Sequence, residues 1–182
     1  KKYGGIVPEL SARAHLDALF PMLEDFEDKT GYEIGDIDRI AVTTGPGLQA
    51  SLLIAISFAN TLSKCLGRKV FPVNHLKAHI FAYLLDPEIH SKLSFPFLAL
   101  LVSGGHTEII RVNSFDSLEV IGRTLDDAAG ECLDKTARQM DLGYPGGPVI
   151  DRLAKKGSKI EGLKKPLPRP LPEKSVLNYS FS

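Results

Sequence analysis

The chain has 182 residues, 43% of them hydrophobic and 24% charged, enough apolar content for a buried core in one large or two small domains. Lys plus Arg and Asp plus Glu both number 22, so no global basic charge draws nucleic acid to it, and RNA binding requires a local patch or a partner subunit. No run of 18 apolar residues exists, which excludes a membrane-spanning helix, and Cys65 and Cys132 lack CxxC spacing, so reduced thiols are expected before a disulfide.

The opening "KKYGGIVPEL" carries no apolar signal core and no Met, and reads as the start of a fragment. Leu16, Leu19, Phe20 and Leu23 predict a helix over Glu9 to Phe26, with Ser11 as its candidate cap. Ile37, Ile40 and Val42 predict a short buried strand ending at Thr43, followed by a small-and-apolar helix from about Leu48 to Cys65 that Gly67 stops. "KVFPVN" reads as a second strand, and Asn74 is a good N-cap for the segment after it. Strand, helix, strand, helix is the order of α/β layering. "DPEIHSKLS" reads as a loop and a change of character, which places a boundary near Ser91 to Ser94 and divides the chain into 1–92 and 93–182.

"FPFLALLVSGGHTEIIRV" reads as a hairpin turning at Ser103-Gly104-Gly105-His106. A further strand, an acidic helix start, the turn "LGYPGGP" and another helix follow; the tail "LKKPLPRPLPEKSVLNYSFS" is Pro-rich, basic and expected to be extended.

Five stretches could carry chemistry. His75 and His79, at i and i+4, lie on one helix face where both imidazoles can reach one cation, although a bare HxxxH more often marks a solvated flank. The glycines of "SGGHT" let backbone N–H groups approach an anion as a phosphate-cradling nest; a plain hairpin turn explains them equally. Asp126, Asp127, Glu131 and Asp134 either complement a helix dipole or hold Mg²⁺ and ribose near a nucleotide. "LGYPGGP" and "TGPGL" could each present N–H groups to a ligand, or serve close packing.

Taken in order, "GGIVPE" before an alanine-rich helix with Arg13 and His15, then "TTGPGL", "NHLKAH", "LLVSGGHT", "DDAAGECLDK" and "LGYPGGPVID" closely resemble the TsaD/Gcp family. The resemblance runs from Gly4 to the final "YSFS". These are tRNA adenosine threonylcarbamoyltransferases, formerly named O-sialoglycoprotein endopeptidases. The resemblance implies a two-lobed actin/Hsp70/sugar-kinase (ASKHA, RNase H-like) α/β fold, here incomplete at both ends. One partial lobe (1–92) would carry the HxxxH motif and the other (93–182) the SGGHT hairpin.

It further implies transfer of a threonylcarbamoyl group from threonylcarbamoyl-AMP to N6 of adenosine 37 in tRNAs reading codons that start with A. His75 and His79 would bind a divalent metal, Fe²⁺ first and Zn²⁺ second. Leu101, Val102, Ser103, Gly104, Gly105, Asp134, Gly147 and Asp151 would contact the nucleotide, whether threonylcarbamoyl-AMP or ATP/AMP with Mg²⁺. Implied partners are tRNA, a TsaB-like paralogue, a TsaE-like ATPase and a TsaC-type enzyme that supplies threonylcarbamoyl-AMP, in the cytoplasm and away from membranes. The family's amino-terminal strand pair would precede Lys1. A segment after "SFS" would supply an asparagine to the nucleotide and an aspartate to the metal. Gln49-Ala50 and Cys132-Leu133 depart from the family's usual residues and read as packing changes. A metallopeptidase is disfavoured because Leu76 stands where HExxH has its glutamate. A non-catalytic paralogue of the same fold would lack the histidine pair, and a sugar kinase would not need it.

Overall fold

A computed structural model of the chain describes residues 7–157, 171 and 177–182. They form two compact units that divide between Ala82 and Tyr83, ahead of the 92/93 position suggested by composition.

In the first unit, helix α1 (Pro8–Thr30) is started by Pro8, whose fixed φ suits the first helical position, and ended by Gly31 in the left-handed region at φ 70°. Ser11 is therefore not the cap. It lies one turn inside the helix, with its Oγ 3.2 Å from Ser51 Oγ of helix α2 (Gln49–Leu66). Phe20 and Phe58 make a second α1–α2 contact, edge to face at 5.5 Å.

Strands β1 (Arg39–Gly45) and β2 (Lys69–Asn74) pair in parallel, Arg39 opposite Lys69 through Thr43 opposite Val73. The alternation of β1 turns Ile40 and Val42 inward onto Ala59 of α2, with Ala55, Ile56, Leu62 and Val70 around them. Gly67, at φ 65°, ends α2 and turns the chain into β2, completing a βαβ unit.

The second unit holds a three-stranded antiparallel sheet, β3 (Phe97–Val102), β4 (Thr107–Val112) and β5 (Leu118–Arg123), with β4 central. Being central, β4 buries Thr107, Ile110 and Val112. The stretch read as a loop before it contains a short helix, α4 (Pro87–Lys92). Asp86 Oδ1 accepts the N–H groups of Glu88 (2.9 Å) and Ile89 (3.2 Å), and Pro87 takes the first helical position, so the Asp-Pro pair starts a helix instead of a turn.

Helices α5 (Ala129–Gln139) and α6 (Gly146–Lys156) pack together, and α6 begins inside "LGYPGGP", so Gly146 and Gly147 are helical residues. At the carboxy-terminal end, Tyr179 bridges to Thr124 and its carbonyl accepts the Leu125 N–H at 2.8 Å. The "YSFS" segment thus lies along the end of β5; most of the proline-rich stretch before it falls outside the described residues.

Candidate functional site

Asn74 ends β2 and caps helix α3 (His75–Phe81): its Oδ1 accepts the N–H groups of Leu76 (3.0 Å) and Lys77 (3.1 Å). The cap fixes where the helix starts, and the i, i+4 spacing then sets His75 above His79. Their Nε2 atoms are 3.2 Å apart, with ring centroids separated by 4.4 Å. Two nitrogens that close, each about 2.0–2.1 Å from one cation, would subtend an angle of roughly 100°, near the tetrahedral value. The pair therefore fits two of a cation's ligands, and both rings are exposed. Among the described residues no group of three or more His, Cys, Asp and Glu is arranged to hold a metal.

His75 also lines a cleft of about 350 Å³ in the same unit. Its walls include Ser11 and His15 of α1, Thr43 of β1, and Gly47, Leu48 and Ser51 where β1 passes into α2. The cleft lies outside the carboxyl ends of two parallel strands, the place where α/β units characteristically take ligands. Sequence reasoning placed no site residue at His15. The available signal was "SARAH", which sets His15 one turn after Ser11 so that its Nδ1 meets the Ser11 carbonyl at 2.7 Å.

The predicted nucleotide residues all fall in the second unit. Leu101 and Val102 end β3, and Ser103 begins the turn, its N–H donating to the His106 carbonyl at 2.8 Å. Ser103 Oγ accepts from the N–H groups of His106 (2.9 Å) and Gly105 (3.3 Å), so the turn is closed by its own hydroxyl and the Gly105 N–H is already engaged. Gly104 and Gly105 have open space where a Cβ would stand.

The start of α5 is pinned to this turn: Ala129 N–H donates to Thr107 Oγ1 (2.9 Å) and Gly130 N–H to the Ser103 carbonyl (3.2 Å). A Cβ on Gly130 would lie 2.8 Å from that carbonyl oxygen, so glycine is required by close approach. Asp134, one turn further along the same helix face, accepts the Gly146 N–H at 2.7 Å. The structure therefore connects the hairpin turn, Asp134 and the start of α6. Gly147 and Asp151 are one turn apart on α6, with Asp151 exposed and paired to Lys155 at 2.7 Å.

The remaining acids have protein partners. Asp126 accepts from the Ser180 hydroxyl and from the Phe181 N–H (2.8 Å), which hold its carboxyl below the ordinary range. The Lys135 ammonium, 2.6 Å from Asp127 and 3.1 Å from Glu131, lowers the Asp127 carboxyl and is itself raised. Asp126, Asp127 and Glu131 thus tie the loop before α5 to the carboxy-terminal residues and to α5 itself; this accounts for acids that the sequence left open to Mg²⁺. Among the described residues, no helix is long and apolar enough to cross a membrane.

A βαβ unit with an imidazole pair and a cleft at its strand ends, and a second unit pinning a glycine turn to a helix start, make this a mixed α/β protein. The family model described as "TsaD: tRNA N6-adenosine threonylcarbamoyltransferase" matches residues 1–182. Proteins named tRNA N6-adenosine threonylcarbamoyltransferase from Thermosipho africanus and Ralstonia pickettii are 48% and 46% identical, each over 100% of this chain and over 53% and 51% of their own lengths. Among solved structures, YeaZ from Pseudomonas aeruginosa is similar with a TM-score of 0.43 and 22% identity, over 59% of this chain and 49% of its own. The chain belongs to the TsaD family. It spans about half the length of the curated relatives it matches.

Proposed function

We propose that the protein to which this chain belongs transfers a threonylcarbamoyl group from threonylcarbamoyl-AMP to N6 of adenosine 37 in tRNAs reading codons that start with A. The observation that carries the proposal is the convergence of His75 and His79, Nε2 to Nε2 at 3.2 Å, in a chain matched throughout by the transferase family. His75 and His79 would hold a divalent cation, Fe²⁺ or Zn²⁺, through neutral imidazoles oriented by the Asn74 cap. When bound, the cation supplies a Lewis acid and a template for the carbamoyl and threonyl oxygens.

The substrate is a mixed carbamic–phosphoric anhydride, so its leaving group, AMP, departs readily once the amine is in place. The exocyclic amine is a weak nucleophile, which makes positioning the main contribution of the protein. In the second unit, the Ser103–His106 turn would receive the adenylate phosphate, and Asp134, Gly147 and Asp151 its nucleoside. The Gly105 N–H would exchange its 3.3 Å bond to Ser103 Oγ for a phosphate oxygen. The two-lobed ASKHA fold, cytoplasmic location, and partnership with a TsaB-like paralogue, a TsaE-like ATPase and a TsaC-type enzyme belong to this same reading. Half-buried Leu76, in the place of a peptidase's glutamate, offers no general base for peptide hydrolysis.

The test supplies full-length protein with tRNA, threonylcarbamoyl-AMP and its partner subunits, and compares wild type with the His75→Ala/His79→Ala double variant. Loss of modified adenosine and of bound metal, with tRNA binding retained, is expected. A fully active double variant would remove the metal role, and metal-dependent release of peptides from a glycoprotein would revive hydrolysis.

A further inference from the structure

We propose that His15 is the group that accepts the proton of the attacking amine, an inference that rests on the transferase reading. His15 lines the same cleft as His75 but comes from α1, far from the histidine motif in sequence. Its Nδ1 is 2.7 Å from the Ser11 carbonyl oxygen. A carbonyl can only accept, so Nδ1 carries the hydrogen, and in the neutral ring Nε2 is left with its lone pair free.

The other polar groups of the cleft are poorer bases. Ser11 and Ser51 are hydroxyls hydrogen-bonded to each other at 3.2 Å and Thr43 is a hydroxyl; His75 directs its Nε2 at His79, and as a neutral ligand through Nε2 it would carry its hydrogen on Nδ1. Among the described residues lining the cleft, His15 Nε2 is therefore the basic atom without another assignment. Its ring is exposed, so a ligand can reach it and a proton can pass on to water. The cleft, about 350 Å³, falls within the roughly 300–1,000 Å³ of small-ligand sites.

In the step assigned to it, the N6 lone pair forms a bond to the carbamoyl carbon. The bond from that carbon to the phosphate oxygen breaks, and AMP leaves with its electron pair. The proton of N6 moves to His15 Nε2. The resulting imidazolium keeps its Nδ1–H on the Ser11 carbonyl, which steadies the charge, and returns a proton to solvent.

General-base catalysis contributes about 10²- to 10⁴-fold, so removing the base should lower single-turnover transfer by about 100-fold or more. His15→Ala and His15→Gln are compared with wild type in full-length protein with its partner subunits, tRNA and threonylcarbamoyl-AMP. Metal content and tRNA affinity are read in parallel. Both variants should fall by that factor with metal and tRNA binding unchanged. Free imidazole should restore transfer in His15→Ala, where it can occupy the vacated space, and not in His15→Gln. Transfer at the wild-type rate in either variant overturns the assignment, and so does a loss in His15→Ala that imidazole does not relieve. A wild-type protein that makes no modified adenosine sinks the transferase reading itself, a result distinct from both.

Discussion

His75 and His79 stand exposed on a helix of 7 residues, touching each other and held in place by one backbone cap, Asn74. Asp126, Asp127 and Asp134 sit in the other unit, and each accepts a bond from a backbone N–H, a hydroxyl or a lysine of the fold. Both sets are polar residues that could bind ligands, yet the physical situations are opposite. The imidazole pair meets only itself, Nε2 to Nε2 at 3.2 Å, and ties no other element of its unit. The carboxylates already organise the loop before α5, the carboxy-terminal segment and the α5–α6 contact, so their presence is explained before any ligand arrives. A cluster of ionisable residues is evidence of binding in proportion to what the fold leaves unused.

The sharpest way to break this contrast is at the α5–α6 contact. A Cβ on Gly146 would lie 2.5 Å from the Cβ of fully buried Ala137 and 2.7 Å from the Leu133 carbonyl oxygen. Gly146→Ala should therefore separate the helices and lower stability by about 1–3 kcal/mol, read as a fall in the urea midpoint of the full-length protein. The Asp134 bond to the Gly146 N–H should be lost with it. An unchanged midpoint would mean that the two helices are not rigidly joined. On the other side, Asn74→Ala removes the cap of α3 at a cost of about 1 kcal/mol. Because that helix is short, the loss should appear as a Zn²⁺ affinity weakened by up to about tenfold in titration, with little change in the global midpoint. A large global loss with metal affinity intact would reverse the roles given to the two units.

What could be read from the sequence was what acts within a few residues, in either unit. The limits of α2, the strand "KVFPVN" and the Asn74 cap were legible because glycine stops and side-chain caps act within a few residues. The hairpin was legible because its two apolar runs flank a two-glycine turn. Helix α4 was not, since Asp-Pro can open either a turn or a helix, and here Asp86 accepts two N–H groups. Ser11 was misread as a cap because Pro8 starts the helix earlier and a distant residue, Ser51, takes the hydroxyl. The start of α6 within "GGP" depends on close approach to α5, a tertiary fact with no local signature. His15 depends on α1 lying beside the β1–α2 connection, which periodicity does not reveal. "SGGHT" was left between an anion nest and a plain hairpin turn, and no local signal showed that the serine hydroxyl at the head of the turn takes the Gly105 and His106 N–H groups.

Gly147, beside Gly146, makes a finer comparison because the nearest atom to an added Cβ is Leu133 Cδ1 at an ordinary 3.7 Å. Gly147→Ala should leave stability unchanged or raise it by up to about 1 kcal/mol through helix propensity. If the nucleoside rests on this glycine, adenylate binding falls while the midpoint does not. A variant with both unchanged would take Gly147 out of the nucleotide site and leave Gly146 as the residue needed there for packing alone.

The smallest effect expected is local and acid-dependent. The Ser180 hydroxyl, first, and the Phe181 N–H donate to Asp126 and depress its carboxyl below the ordinary 3.8. A depressed folded value means that the contact is at full strength above 3.8 and is lost as pH falls through the lower folded value. The Phe181 amide should therefore stay protected from hydrogen exchange through mild acid and open in stronger acid, before the β3–β5 sheet unfolds. Asp126→Asn should open the same amide at neutral pH and flatten its response to acid. A Phe181 amide equally protected in wild type and variant would show that the loop before α5 does not hold the carboxy-terminal residues.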